Sequence, residues 1–194
     1  MSTTESARSG ATAQGGEKRI TRSDLLKSWL IWTFFSHSNY NYERLQASAF
    51  AHAMTPIIKR LYGGDKEQTR AALQRHLVFF NTAPDFGGVI HGITIAMEEQ
   101  KANGEPITDN AITSTKTGLM GPMAGIGDTI SQGIVVPLFI ALGISVTGLG
   151  ASVQASGDLT GVTGNPLGPI LYFVLIVAFS LTIGYIFYTQ GYKQ

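Results

Sequence analysis

Charge all but disappears part-way along this chain. Between Lys116 and Gln194 the only charged side chains are Asp128, Asp158 and Lys193, whereas the part before Lys116 mixes acids and bases densely. A water-soluble domain scatters charge over its whole surface, so a stretch this apolar and glycine-rich belongs in lipid or against a large partner. Composition agrees: 14% of the 194 residues are charged and 23 are Gly, against about 25% charged in ordinary domains. A net charge of +1 offers no basic field for nucleic acid. The chain has no cysteine, which removes disulfides, thiolate metal sites and a Cys nucleophile.

Residues 1–20 are Ser, Thr, Gly and Ala with a few charges and no apolar core. They read as a disordered leader ahead of a single membrane domain over 21–194. Thr21 with Asp24 offers an N-cap and a first-turn acid. Residues 25–35 (LLKSWLIWTFF) are too short to span a bilayer and read as an interfacial helix, with Trp29, Trp32, Phe34 and Phe35 at headgroup depth. The alternative is a buried amphipathic core helix. A polar break follows, then a helix over 42–62 interrupted or restarted near Pro56, and a charged surface helix over 66–76.

Two apolar segments are broken internally. Residues 77–97 have the length of a span but contain Asn81-Thr82-Ala83-Pro84, and 118–149 carry Pro122, Pro137 and repeated glycines. Such backbone is stable at membrane depth only where it is buried in protein or lines a cavity, so the pair points to a transport path. The bland alternative is two Gly-rich soluble loops. Asp109 is expected to cap the helix entering Lys116. Residues 170–188 carry no charge, have aromatics near both ends and precede Lys193, which makes them the clearest lipid-spanning stretch. The expected fold is all-α: a polytopic membrane protein with amphipathic or interfacial helices, re-entrant or broken helices and at least one full transmembrane helix.

Four stretches carry a family resemblance. They are Asn41-Tyr42-Glu43-Arg44-Leu45-Gln46, then 75–82 (RHLVFFNT), then 96–104 (AMEEQKANG), then 116–128 (KTGLMGPMAGIGD). In order and spacing the chain resembles the IID membrane subunit of the mannose/fructose/sorbose phosphotransferase system from about Thr21 to its end. The resemblance implies a hetero-oligomer in the bacterial cell (inner) membrane. In it a IIC and a IID subunit together pass a hexose-type sugar, which is phosphorylated on the cytoplasmic side. A separate IIAB subunit would carry the phosphohistidines. Two departures stand out: family members continue beyond the point matching Gly191-Tyr192, and 148–164 is longer than the family's usual loop. The first reads as a truncated, split or short IID, with the C-terminal part of the pattern absent.

Site expectations follow from residue chemistry. Sugars are held by Asn, Asp, Glu, Gln and stacked aromatics, so Asn81 and Thr82, with Phe79 or Phe80 nearby, are expected on the substrate path. The alternative for Asn81 is satisfying backbone at the break. Asp128 ends Gly121-Pro122-Met123-Ala124-Gly125-Ile126-Gly127, expected to be an unwound turn at membrane depth. A carboxylate there is paired, solvated or functional, or caps the next helix. Glu98 is a third path candidate. Glu43, Arg44 and Gln46 read as a polar packing or IIC-contact motif. No catalytic residue, cofactor or metal ligand is expected: His37, His52, His76 and His91 read as structural, and the Gly-rich run lacks the Gly-Lys-Ser/Thr of a P-loop. The rivals are a scaffold subunit that never touches sugar and, from another class, a soluble phosphate- or nucleotide-binding enzyme.

Overall fold

A computed structural model describes residues 17–147 and 165–193. Seven α-helices lie in these residues: α1 Arg22–Phe35, α2 Ala47–Tyr62, α3 Lys66–His76, α4 Gly88–Ala102, α5 Asp109–Ile130, α6 Val136–Thr147 and α7 Leu167–Lys193. A π-helical turn, Ser131–Val135, joins α5 to α6. The described residues hold only isolated β-bridges and no strand. The local signals explain most boundaries. Thr21 and Asp24 form a reciprocal capping box on α1. Asp65 accepts two backbone N–H bonds at the start of α3.

Side-chain bonds define a polar end of the molecule. Lys101 of α4 lies 3.1 Å from Asp109 of α5, and the Tyr192 hydroxyl of α7 donates to Glu99 of α4. The chain enters here: the Ile20 N–H donates to Glu99, and the Lys18 N–H and C=O bond the Asn103 side chain. Helix α1 leads away from this end, reaching the 77–87 loop where the Trp32 indole donates to the Pro84 carbonyl. Helix α2 returns, from Gln46 beside Phe80 to the Tyr62 hydroxyl on Glu98. Helix α3 runs antiparallel to α2, with Thr69 against the Tyr62 carbonyl at one end and His76 beside the Phe50 ring at the other. Helix α4 returns alongside α7. Two helical hairpins, α1–α2 and α3–α4, therefore project the same way, with tips at residues 36–46 and 77–87.

Among the described residues, two continuous helices are long and apolar enough to cross a membrane: Asp109–Thr147, with 39 residues, and Leu167–Lys193, with 27. At 1.5 Å per residue they measure about 58 Å and about 40 Å, against a hydrocarbon core of about 30 Å. Their polar-end halves pack on the hairpins. Gly92 of α4 and Gly191 of α7 permit backbone contact there: a Cβ on Gly92 would lie 2.3 Å from the Tyr188 carbonyl oxygen, and one on Gly191 2.2 Å from that of Val89. Among the described residues their far halves pair with each other, Gly143 against Gly168, and expose Leu138, Ile140, Ile144, Phe173 and Val174. So large an apolar surface is stable against lipid or protein, not water.

The structure departs from expectation in four places. Trp29 and Trp32 point into the core rather than to an interface, while Phe34 and Phe35 are exposed with Leu26 and Leu30, so α1 is apolar on both sides. Helix α2 begins at Ala47 and runs unbroken through Pro56; the Thr55 hydroxyl bonds the Ala51 carbonyl beside the lost rung. The α5 cap is Thr108, with Asp109 the first helical residue. The 118–149 segment is helical as far as Thr147: Pro122 sits inside α5, and the interruption is the π turn, closed by the Val136 N–H on the Ser131 carbonyl. Pro137, lacking an N–H, leaves the Gly133 carbonyl without its usual partner there. The expected leader lies outside the described residues up to 16, and its last residues, 17–20, are tied to α4. The long loop expected at 148–164 lies outside them too.

Candidate functional site

The two hairpin tips meet. The Gln46 N–H donates to the Phe80 carbonyl at 2.8 Å, and the Gln46 side-chain oxygen accepts from the Thr82 N–H at 2.9 Å. The Tyr40 hydroxyl donates to Asn81 Oδ1 at 2.8 Å, leaving the two amide N–H donors of Asn81 for other acceptors. The His37 imidazole lies 3.1 Å from the Gln46 amide nitrogen. Leu45, in this tip, has φ 49°, the one positive φ on a non-glycine residue among those described. A branched side chain is disfavoured there, and such backbone tends to occur where function dictates the geometry. Gly87 closes the second tip, because a Cβ there would come within 2.2 Å of Thr82 Cγ2.

These tips lie beside the middle of the apolar helices. A Cβ on Gly127 of α5 would be 2.4 Å from the Ala83 Cβ, and the Ser180 hydroxyl of α7 donates to the Asp85 carboxylate. Gly127 is one residue from the midpoint of Asp109–Thr147, and Ser180 is at that of Leu167–Lys193. Irregular, polar backbone thus stands at mid-length of two apolar spans, which is the re-entrant arrangement expected for residues 77–97. The first tip stays open: Tyr42 is fully exposed, and the Glu43–Arg44 pair at 3.3 Å lies at the surface, where such a pair contributes little.

Of the sequence-derived residues, Asn81, Thr82, Arg44 and Gln46 come together at this junction. Gln46 is buried, its side-chain oxygen held by the Thr82 N–H. Thr82 is buried with its hydroxyl unpaired. Asp128 follows Gly127 but is exposed on the outer face of α5, bonded to Gln132 at 3.2 Å. The run ending in it is helical, so neither an unwound turn nor a phosphate cradle is present.

Glu98 is elsewhere. It is fully buried near the polar end, accepting from the Tyr62 hydroxyl at 2.9 Å and His76 Nε2 at 3.0 Å. Arg75 Nε lies 3.0 Å from the same carboxylate, placed for ion pairing but not aligned as a hydrogen bond. Arg75 also pairs with Asp109. Burial holds the His76 pKa below the ordinary imidazole range despite the Glu98 carboxylate. Burial, then Glu98, pushes the Tyr62 phenol up. Below this network Lys116 is fully buried, its ammonium donating to the His76 carbonyl at 2.9 Å and lying 4.2 Å from the Phe50 ring centre. His91 stacks on Phe50 at 3.8 Å among Trp32, Phe80 and Tyr188. Desolvation, then Lys116 and His76, holds it well below the usual range.

Residues 19–194 match the sequence model of the PTS system mannose/fructose/sorbose family IID component. The chain belongs to this family. The PTS system mannose-specific EIID component of Escherichia coli (strain K12) is 43% identical over 178 residues, covering 92% of this chain and 58% of the relative. The sorbose-specific EIID component of Lacticaseibacillus casei is 41% identical over 176 residues, covering 91% and 57%. Among solved structures, a chain of the cryoEM structure of the mannose transporter ManYZ with microcin E492 superposes with a TM-score of 0.76 at 42% identity, covering 91% of this chain and 59% of that one. This IID chain thus spans less than three-fifths of the length of those relatives. As a IID component it is a helical membrane protein, and the apolar α5–α6 and α7 are its membrane helices.

Sequence reasoning passed over Asp85, Lys116 and Tyr40, and read His37 as structural. Asp85 had a usable signal, an acid two residues before a Gly-Gly pair inside an apolar segment. Lys116 had another, as the last cation before the charge-poor tail.

Proposed function

We propose that this chain is the IID membrane subunit of a sugar-transporting phosphotransferase complex in the bacterial inner membrane. With a IIC subunit it forms the path for a hexose-type sugar, which a separate IIAB subunit phosphorylates. The observation that carries this reading is the meeting of two polar hairpin tips at mid-length of two apolar helices. Hydrocarbon cannot satisfy the half-buried amide of Asn81 or the exposed Tyr40 and Arg44, so this junction faces water, solute or a partner's polar surface. The Asn81 amide donors are the groups of this chain best placed for a sugar hydroxyl. Glu98 belongs to the buried ion network and takes no part in the path. Asp128 directly follows Gly127, which meets Ala83, but faces outward, and it lines the path only where a partner closes it.

The test is sugar uptake by the IIC–IID complex in proteoliposomes with IIAB supplied. The complex should co-purify from detergent. Asn81→Ala should raise the apparent KM by roughly two- to tenfold, the loss of one or two neutral hydrogen bonds. Unchanged uptake in Asn81→Ala and Thr82→Val would favour a scaffold that never touches the sugar.

A further inference from the structure

Helix α3 carries a trough along the face turned away from the core. Lys66, Arg70, Leu73 and Leu77 line it at helical spacing, and Lys59 from the last turn of α2 forms its other wall. Its volume is about 660 Å³, within the range of small-molecule pockets. A second cavity shares Gln74 and Leu77 with it and continues past Val78 to Phe79.

Charge and apolarity change along this trough in one direction. Lys59, Lys66 and Arg70 cluster at the polar end, and none of them makes an ion pair with another described residue. Farther along, the lining is Leu73, Leu77 and the exposed Phe79; the only acid is Glu43, paired with Arg44. From Lys66 to Leu77 the helix falls about 16 Å, from the level of Tyr62 to beyond that of Phe50. That is also the direction in which α5 and α7 leave the polar end for their apolar middles. An anionic phospholipid has the matching polarity: phosphate at the span ends and hydrocarbon pointing inward. An acidic protein segment would use the cations but has no comparable reason to follow the inward apolar floor.

We infer that this trough binds an anionic phospholipid, its phosphate on Lys59, Lys66 and Arg70 and one acyl chain along Leu73, Leu77 and Phe79. The test is native mass spectrometry of the full chain in neutral detergent, titrated with phosphatidylglycerol or phosphatidylcholine. The K66Q/R70Q variant is compared with R22Q/K27Q; all four side chains are exposed, and circular dichroism checks each fold. Phosphatidylglycerol binding should weaken roughly thirtyfold in K66Q/R70Q, about fivefold for each cation removed at an anionic surface. It should stay unchanged in R22Q/K27Q, and phosphatidylcholine should bind weakly throughout. Equal losses in both variants, no loss in K66Q/R70Q, or equal retention of the two lipids would overturn the assignment. Displacement of the lipid by a poly-glutamate peptide would also overturn it, giving the trough to an acidic partner. None of these outcomes bears on the sugar path, which uses other residues.

Discussion

Glu98 and His91 show how one buried residue couples to the stability of the whole. Glu98 accepts from Tyr62 and His76 and faces Arg75, so Glu98→Ala would leave a buried phenol and imidazole without their acceptor and Arg75 with Asp109 alone. A loss of about 2–5 kcal/mol is expected, measurable as a lowered denaturation midpoint in detergent. Burial lowers the pKa of both His76 and His91 in the folded chain, and both regain a pKa near 6.5 when exposed. Below that value the unfolded state therefore binds more protons, and stability falls as pH drops; above it neither histidine adds a slope. Thermal midpoints should decline between pH 7.5 and 5.5, and His91→Phe, which keeps the stack on Phe50, should flatten the decline. An equally steep decline in that variant would locate the titration elsewhere. Asn81 and Asp128 were legible as polar residues in apolar sequence. The Glu98 network was not, because its partners come from three other helices and nothing local pairs them.

Close helix contact, rather than glycine content, decides which glycines matter among the elements. Gly92→Ala pushes a methyl into the backbone of α7, 2.3 Å from the Tyr188 oxygen, and should destabilise the chain by about 1–3 kcal/mol. Gly121, in the middle of α5, has nothing within 4 Å of its would-be Cβ. Gly121→Ala should therefore be neutral or stabilising by up to about 1 kcal/mol in the isolated chain. Paired melts of the two variants check this, and matching losses would contradict the α4–α7 packing. The span at 170–188 was legible because length and lack of charge are local properties. The break at 77–87 was legible from Asn81 and Pro84. The helical state of 118–147 was not: Pro and Gly argue for unwinding in water, whereas intrachain hydrogen bonding is the only solution open to backbone facing lipid. The π turn lies directly before Pro137, the residue that cannot donate to the ladder.

For the whole molecule, the account rests on where the tips stand. Packing brings Ser36–Gln46 chemistry and the Asn81–Gly87 loop to the middle of the membrane helices, a meeting that joins residues about forty positions apart and has no signature in either segment alone. Because the chain has no cysteine, single Cys replacements report position cleanly. Spin labels at Tyr42 and at Ile126, which adjoins the Gly127 contact with Ala83, give the most direct test in bilayers. Their collisions with oxygen and with a polar nickel chelate are compared. The account predicts that Ile126, exposed on α5, meets oxygen and excludes the chelate, while Tyr42 meets the chelate although power saturation puts lipid-facing residues of its level deep in the bilayer. A Tyr42 label buried from the chelate, or an Ile126 label at headgroup depth, would contradict it.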